Sequence, residues 1–320
     1  MARSLFFSVV FAAGMFSFTL AAEPTKLEFR AASETSVEFD TGVFRGSVRL
    51  DGKSQGIPSL IHIPTGINVA AEPKLPGLLS YYRIFSTGKR YTHAARDWPV
   101  TFKILEDGAL RIAFAPAPEH PLELTGTFRW SAPDTLDLET TVTPQVDLPK
   151  FEVFLSSYLA KGYEGSVYLK PNRYSKTKPA FIRTDWSELT DGNYLIFPRE
   201  LTDLPMIYDG RWEIGPSPVT WAFSRYLEAP VGVRRNAENG LAIAWMARPE
   251  DCFAIALPYN KQPPDGVSGH ESLYLSLFGR DLPAGQTATA RCRMIVGKDL
   301  TDEVILDRYQ AYAAEVSNPK

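Results

Sequence analysis

The sequence predicts an all-β protein, a large antiparallel sandwich with one C-terminal helix, and three observations carry that expectation. Apolar and polar residues alternate with period two through most of the chain. Turn-forming clusters separate these runs at the spacing of a meander. Helical periodicity together with capping residues occurs convincingly only at the C-terminus.

Met1 to Ala22 has the form of a secretory signal: Arg3, an apolar run from Leu5 to Leu20, then Ala21-Ala22 before the polar Glu23-Pro24. The apolar run is shorter than the roughly 20 residues of a spanning helix, so cleavage is expected and the mature chain should be secreted or periplasmic, with no membrane anchor. No cysteine follows the run to take a lipid, since the first is Cys252. A single domain is expected over residues 23–320. Without the signal, 33 Lys and Arg face 37 Asp and Glu, a net charge of about −4 that offers no basic footprint for nucleic acid. Hydrophobic residues make up 44% of the chain and aromatics 12%, enough for a large core with rings to spare.

Val100, Phe102 and Ile104 alternate with Thr101 and Lys103, and Leu110, Ile112 and Phe114 with Arg111 and Ala113. Leu122, Leu124, Phe128 and Trp130 alternate with Glu123, Thr125 and Arg129, and Leu136, Leu138 and Val142 with Asp137, Glu139 and Thr141. Glu106-Asp107-Gly108 and Ser131-Ala-Pro-Asp134 supply the turns, so a half-buried antiparallel sheet is expected here. Lys161 to Pro218 is different: rich in Pro, Gly, Tyr, Trp and Arg, with little clean periodicity, it reads as loops folded over a sheet face. Strands return at Val219–Leu227, Leu241–Ala247, Cys252–Leu257, Leu273–Phe278 and Thr287–Val296. In the final segment Thr301 can cap a helix whose first turn holds Asp302 and Glu303, with Ile305, Tyr309, Tyr312 and Val316 on the face that packs. Cys252 and Cys292 each lie in a strand-like run, where one cross-strand disulfide and two buried thiols are equally open readings.

The loop-rich middle gathers planar rings, guanidinium groups and carboxylates at Arg173-Tyr174, Arg183-Thr-Asp-Trp186 and Tyr208-Asp-Gly-Arg-Trp212. Sugars present C–H faces that stack on rings and hydroxyl edges that take fixed hydrogen bonds, so this composition suits a mono-, oligo- or polysaccharide. The candidate ligand contacts are Arg96, Tyr174, Arg183, Trp186, Arg211 and Trp212. Any single Trp packs a core more often than it binds, so one or two of Trp186, Trp212 and Trp221 are expected to touch ligand.

The four histidines, His62, His93, His120 and His270, share no metal-ligand spacing, and neither a metal nor a cofactor is expected. His93 is the candidate acid or base, because Arg96 and Trp98 accompany it in a His-x-x-Arg-x-Trp cluster; the competing reading is a surface His in a turn. Glu271, beside His270 at a strand start, becomes a general base if burial raises its pKa, and is otherwise an edge charge.

The cluster His93-Ala-Ala-Arg-Asp-Trp98, the strand Phe151-Glu-Val-Phe-Leu-Ser-Ser-Tyr-Leu159 and the run Asp281-Leu-Pro-Ala-Gly-Gln-Thr-Ala-Thr-Ala-Arg291 together resemble the galactose-mutarotase-like β-supersandwich proteins. The likeness is to the hexose-6-phosphate epimerase branch of the aldose 1-epimerases. It implies a β-supersandwich with a sugar cleft on one sheet face, and ring opening by a histidine acid and a carboxylate base. The segment at His93 is one residue shorter than that branch's pattern and lacks its glycine, and the catalytic His of the strand falls on Ser156. Two readings therefore compete: an exported carbohydrate-active or carbohydrate-binding protein, with epimerase, lyase or hydrolase chemistry if it is an enzyme, and a non-catalytic surface or interaction module that kept the fold and lost the acid/base pair.

Overall fold

The computed structural model describes residues 26–71, 74–172, 175–184, 194–223, 225–258 and 271–317. Met1 to Ala22 lies outside these residues. The chain opens with β1 (Phe29–Ala31), β2 (Ser36–Asp40), β3 (Phe44–Arg49), β4 (Gly56–His62) and β5 (Ile67–Asn68), a five-stranded antiparallel meander in chain order. It continues through β6 (Ser80–Ser86), β7 (Lys89–Arg90), a 3-10 turn at Ala95–Asp97, β8 (Val100–Ile104), β9 (Leu110–Phe114), β10 (Leu122–Ala132), β11 (Thr135–Pro144) and β12 (Leu148–Tyr158). Then follow β13 (Glu164–Leu169), β14 (Ala180–Arg183), β15 (Tyr194–Pro198), the short α1 (Leu204–Ile207) and β16 (Ala222–Phe223). The last part holds β17 (Leu227–Arg235), β18 (Leu241–Ala247), β19 (Cys252–Pro258), β20 (Ser272–Leu282), β21 (Ala288–Lys298) and α2 (Asp302–Ser317).

Two large sheets form the body. One has nine strands in the order β14-β13-β17-β18-β21-β11-β10-β9-β8, the other seven in the order β16-β15-β19-β20-β12-β6-β7. Pairing is antiparallel throughout both, except between β15 and β16. The expected all-β sandwich is the architecture observed. The alternating runs are strands for the reason that made them readable: in β10 and β11 one face is buried and the other is open to water.

Between the large sheets lies the main core, with Val153 and Leu155 of β12, Leu273, Leu275 and Leu277 of β20, and Leu136, Leu138 and Trp245 from the nine-stranded side. Tyr81 crosses this core and its hydroxyl hydrogen-bonds with that of Thr140 at 2.8 Å. Gly126 makes room for it, since a Cβ there would stand 2.4 Å from the Tyr81 hydroxyl oxygen. Cys252 and Cys292 lie in this core on opposite sheets as free buried thiols, Cys252 with its pKa pushed up to about 12 by burial.

Segment 161–218, expected as loops, carries β13, β14 and β15. β13 is buried at four of its six residues and β15 at four of five, so no polar residues alternate to betray a strand. Two further apolar clusters lie outside the main core. One is under α2, where Ile305, Tyr309 and Tyr312 pack on Val231, Ala244, Met246 and Ile295, as the apolar stripe predicted. The other is on the outer face of the seven-stranded sheet, beneath residues 199–223. No described helix is long and apolar enough to cross a membrane.

Candidate functional site

The outer face of the seven-stranded sheet is built from strands far apart in sequence. β12 runs between β6 and β20, with Phe154 opposite both Arg83 and Ser276, and Ser156 opposite Tyr274. Alternation places Glu152, Phe154, Ser156 and Tyr158 of β12 on this face beside Tyr274 of β20. In β6 the register shifts: Arg83 pairs with Phe154 and Tyr81 with Leu155, leaving Tyr82 as an extra residue. Tyr81 and Ile84 enter the inter-sheet core, while the consecutive pair Tyr82 and Arg83 both reach the outer face.

Residues 199–223 roof this face. Their anchor is Arg211, fully buried, whose Nη1 donates to Glu152 Oε2 at 3.0 Å, whose Nε and Nη2 donate to the Asp209 carboxylate at 3.0 and 2.9 Å, and whose Nη2 also donates to the Lys150 carbonyl. Burial alone would lower the pKa of Arg211, but the two carboxylates outweigh it and hold it above its ordinary value. The adjacent Trp212 packs against Phe85, Phe154 and Trp221, with ring centroids at 4.7, 4.6 and 5.0 Å. At the other edge, Arg83 Nη2 donates to the Ser217 carbonyl at 2.6 Å, and Arg90 Nη1 to those of Ile214 and Pro216 at 3.2 and 2.8 Å.

Between roof and sheet remains a cavity of about 340 Å³, lined by Tyr82, Arg83, Phe154, Tyr158, Tyr194, Trp212, Trp221 and Tyr274 with the Ser217–Val219 turn. Tyr274 donates its hydroxyl to that of Tyr158 at 3.0 Å. Burial pushes Tyr158 up to about 12, against the pull of the nearby Arg96 charge. The guanidinium carbon of Arg96 lies 4.7 Å from the Tyr82 ring centre and that of Arg83 lies 4.9 Å from it. Arg83, Arg90 and Arg96 are 2%, 8% and 8% exposed, and among the described residues no carboxylate forms an ion pair with any of them. Nε and Nη1 of both Arg83 and Arg96 are buried without a hydrogen-bond partner among the described residues, as are the indole N–H groups of Trp212 and Trp221. Burial, together with the charge of Arg83, lowers Arg90 to about 10.

Of the residues singled out from sequence, Trp212 lines the cavity and Arg96 stacks on its wall. Arg211 is engaged by the roof anchor. His93 is exposed on the turn beside Arg90, which donates to its Nδ1 at 3.2 Å, and it is absent from the cavity lining. Glu271 accepts a hydrogen bond from the Gly162 amide at 2.9 Å, near Arg234, likewise apart from the lining. Arg183 pairs with Glu164 on the outer strands of the nine-stranded sheet. Tyr174, Trp186 and His270 lie outside the described residues. Among those described, no group of three His, Cys, Asp or Glu side chains could hold a metal ion. The sequence reading passed over Tyr82, Arg83, Tyr158 and Tyr274. Their signal was the Tyr-Tyr-Arg break inside the apolar run Ser80–Phe85, and a Tyr between leucines at Leu273-Tyr-Leu275.

No protein-family model matches the sequence, and no curated protein does. Solved structures are similar. A TPR-domain-containing protein from Parabacteroides distasonis matches at a TM-score of 0.51 and 10% identity, over 83% of this chain and 48% of that one, so the chain spans about half its length. A galactose mutarotase-related enzyme from Lactobacillus acidophilus matches at 0.49 and 11%, over 83% and 98% of the two chains. The galactose 1-epimerase of the same species matches at 0.47 and 8%, over 82% and 94%. At such identity the likeness is one of fold alone, the multi-sheet antiparallel sandwich that the sequence resemblance implied.

Proposed function

We propose that this is an exported protein that binds carbohydrate in the roofed cavity of its seven-stranded sheet. The observation that carries the reading is the composition of that cavity: two tryptophans, four tyrosines and a phenylalanine with one guanidinium, around about 340 Å³. Small-ligand sites are concave, mostly apolar and aromatic, with a few convergent polar groups, and range over roughly 300–1,000 Å³. Ring walls offer stacking surfaces to sugar C–H faces, while the lining tyrosines and Arg83 carry polar groups suited to hydroxyl edges. Export is proposed from the signal-like Met1–Ala22.

Recognition is favoured over mutarotation. Ser156 stands where the family's route uses a histidine, and no described residue lining the cavity is a histidine or a carboxylate. The test is a glycan panel read by ligand-induced thermal shift on the mature chain, with product and anomer analysis of each hit. A hit recovered unchanged supports binding, a hit whose linkage is cut or whose anomers relax faster makes the protein an enzyme, and silence across the panel sinks the carbohydrate reading.

A further inference from the structure

We propose that residues 213–218 are a flap over the cavity, pivoting where Trp212 meets Val219 and latched shut by Arg83 and Arg90. Such a flap governs entry to the cavity whatever small molecule fills it, and so goes beyond the carbohydrate reading above.

Of the lining residues, Phe154, Trp212, Trp221 and Tyr274 are buried, and only Ser217 and Pro218 are exposed. There a single thickness of chain separates the cavity from water. This stretch is attached differently from the rest of the roof. Around it Met206, Ile207, Trp212 and Trp221 belong to the ring cluster, and Arg211 is held by its two carboxylates. From Glu213 to Pro218 no side chain belongs to an apolar cluster of the described residues, and every residue except Ile214 is exposed. A segment with few buried apolar contacts is one that opens locally at low cost. Its two ends are drawn together, because the Val219 amide donates to the Trp212 carbonyl at 3.0 Å and closes the base of a compact surface loop.

Three hydrogen bonds fix the tip of this loop, all from guanidinium groups to backbone carbonyls: Arg83 to Ser217, and Arg90 to Ile214 and Pro216. Arg83 stands on β6 and Arg90 on the edge strand β7. Arg90 is itself placed by His93, whose carbonyl and Nδ1 both accept from its Nη2, so His93 is a positioning residue for the latch. Ser217 holds φ at +63°, in the left-handed region that a serine adopts at a cost, so the latch and not the local backbone preference keeps the loop down. The two sides of the roof differ in what breaking them leaves behind. Freeing Arg211 separates a fully buried ion pair, whereas lifting the loop parts charged donors from neutral carbonyls and lets water take the carbonyls' place. The Arg83–Arg90 side therefore opens first, and the Arg211 side stays as the fixed end.

The experiment is acrylamide quenching of tryptophan fluorescence in the mature protein and in its Arg90→Met variant, with amide hydrogen exchange across residues 199–223 measured on both. Arg90→Met removes the bonds to Ile214 and Pro216 and should raise the quenching constant about twofold or more. That increment should shrink when Trp212→Phe or Trp221→Phe removes a tryptophan of the cavity wall. Exchange across residues 199–212 should stay as in the parent. An unchanged quenching constant would overturn the flap, and so would an increment that neither tryptophan replacement affects, since the molecule would then have loosened as a whole. Faster exchange over all of residues 199–223 would show the roof moving as one body and would overturn the pivot at Trp212. Where Arg90→Met fails to fold, Arg90→Lys keeps the charge without the two-carbonyl fork; it should give a smaller rise in quenching, and no rise there counts equally against the flap. Each of these outcomes leaves the carbohydrate reading where it stands.

Discussion

Both large sheets have an outer face roofed by a segment from elsewhere in the chain, and the two roofs are built on different principles. On the nine-stranded sheet α2 lays Ile305, Tyr309 and Tyr312 onto small and aliphatic residues, and its charged neighbour Arg293 is paired on both sides. On the seven-stranded sheet residues 199–223 lay rings onto rings and leave a cavity, with three arginines at its edge unpaired by any described carboxylate. A helix presents a regular ridge that closes a sheet face. An irregular aromatic segment holds its shape only through discrete anchors, and the space between anchors becomes a site.

The sharpest way to break that contrast is to cut the anchor. Removing Arg211 strands the fully buried Glu152 carboxylate, so Arg211→Ala should destabilise by about 3–5 kcal/mol in denaturant unfolding. A loss below about 1 kcal/mol would mean that the roof is held by ring packing alone. On the other roof Ile305→Ala should cost about 2–4 kcal/mol, with hydrogen exchange rising under α2 and not around Trp212. Exchange rising equally at both would show the two roofs to be one cooperative unit.

A smaller effect separates the sandwich rim from both roofs. His120 is buried and stacked on Trp98, ring centroids 3.7 Å apart, and burial lowers its pKa below the usual histidine value. The unfolded chain therefore binds a proton more readily than the folded one, so stability is full above the unfolded pKa near 6.5 and declines as pH falls below it. His120→Gln should flatten the slope of melting temperature between about pH 6.5 and 5; an unchanged slope would place the acid sensitivity elsewhere. The smallest effect belongs to the surface. Arg129 and Asp107 form an ion pair with both side chains about half exposed, and Arg129→Ala should shift stability by less than about 0.5 kcal/mol. A larger loss would mean that the open sheet face is under more electrostatic control than its exposure suggests.

Legibility in the sequence followed solvent exposure. β10 and β11 were readable because water reaches one of their faces, and α2 because its apolar stripe has one partner. β13 and β15 hid because both of their faces are largely covered. The site was only half legible. Arg211 and Trp212 are neighbours in sequence and look like one binding pair, but the backbone sends Arg211 to Glu152 and Trp212 to the cavity. Tyr82, Tyr158 and Tyr274 meet because β6, β12 and β20 lie side by side, an order that no local pattern announces.

The extra residue in β6 has one more consequence. Without Tyr82 the strand would read Tyr81 inward, Arg83 outward, Ile84 inward and Phe85 outward, an unbroken alternation with its pairing to β12 complete. Tyr82 is thus surplus to the sheet and belongs wholly to the cavity. The fold keeps there a slot in which the wall of the site can gain or lose a side chain by a single codon, with no residue of the core changing sides.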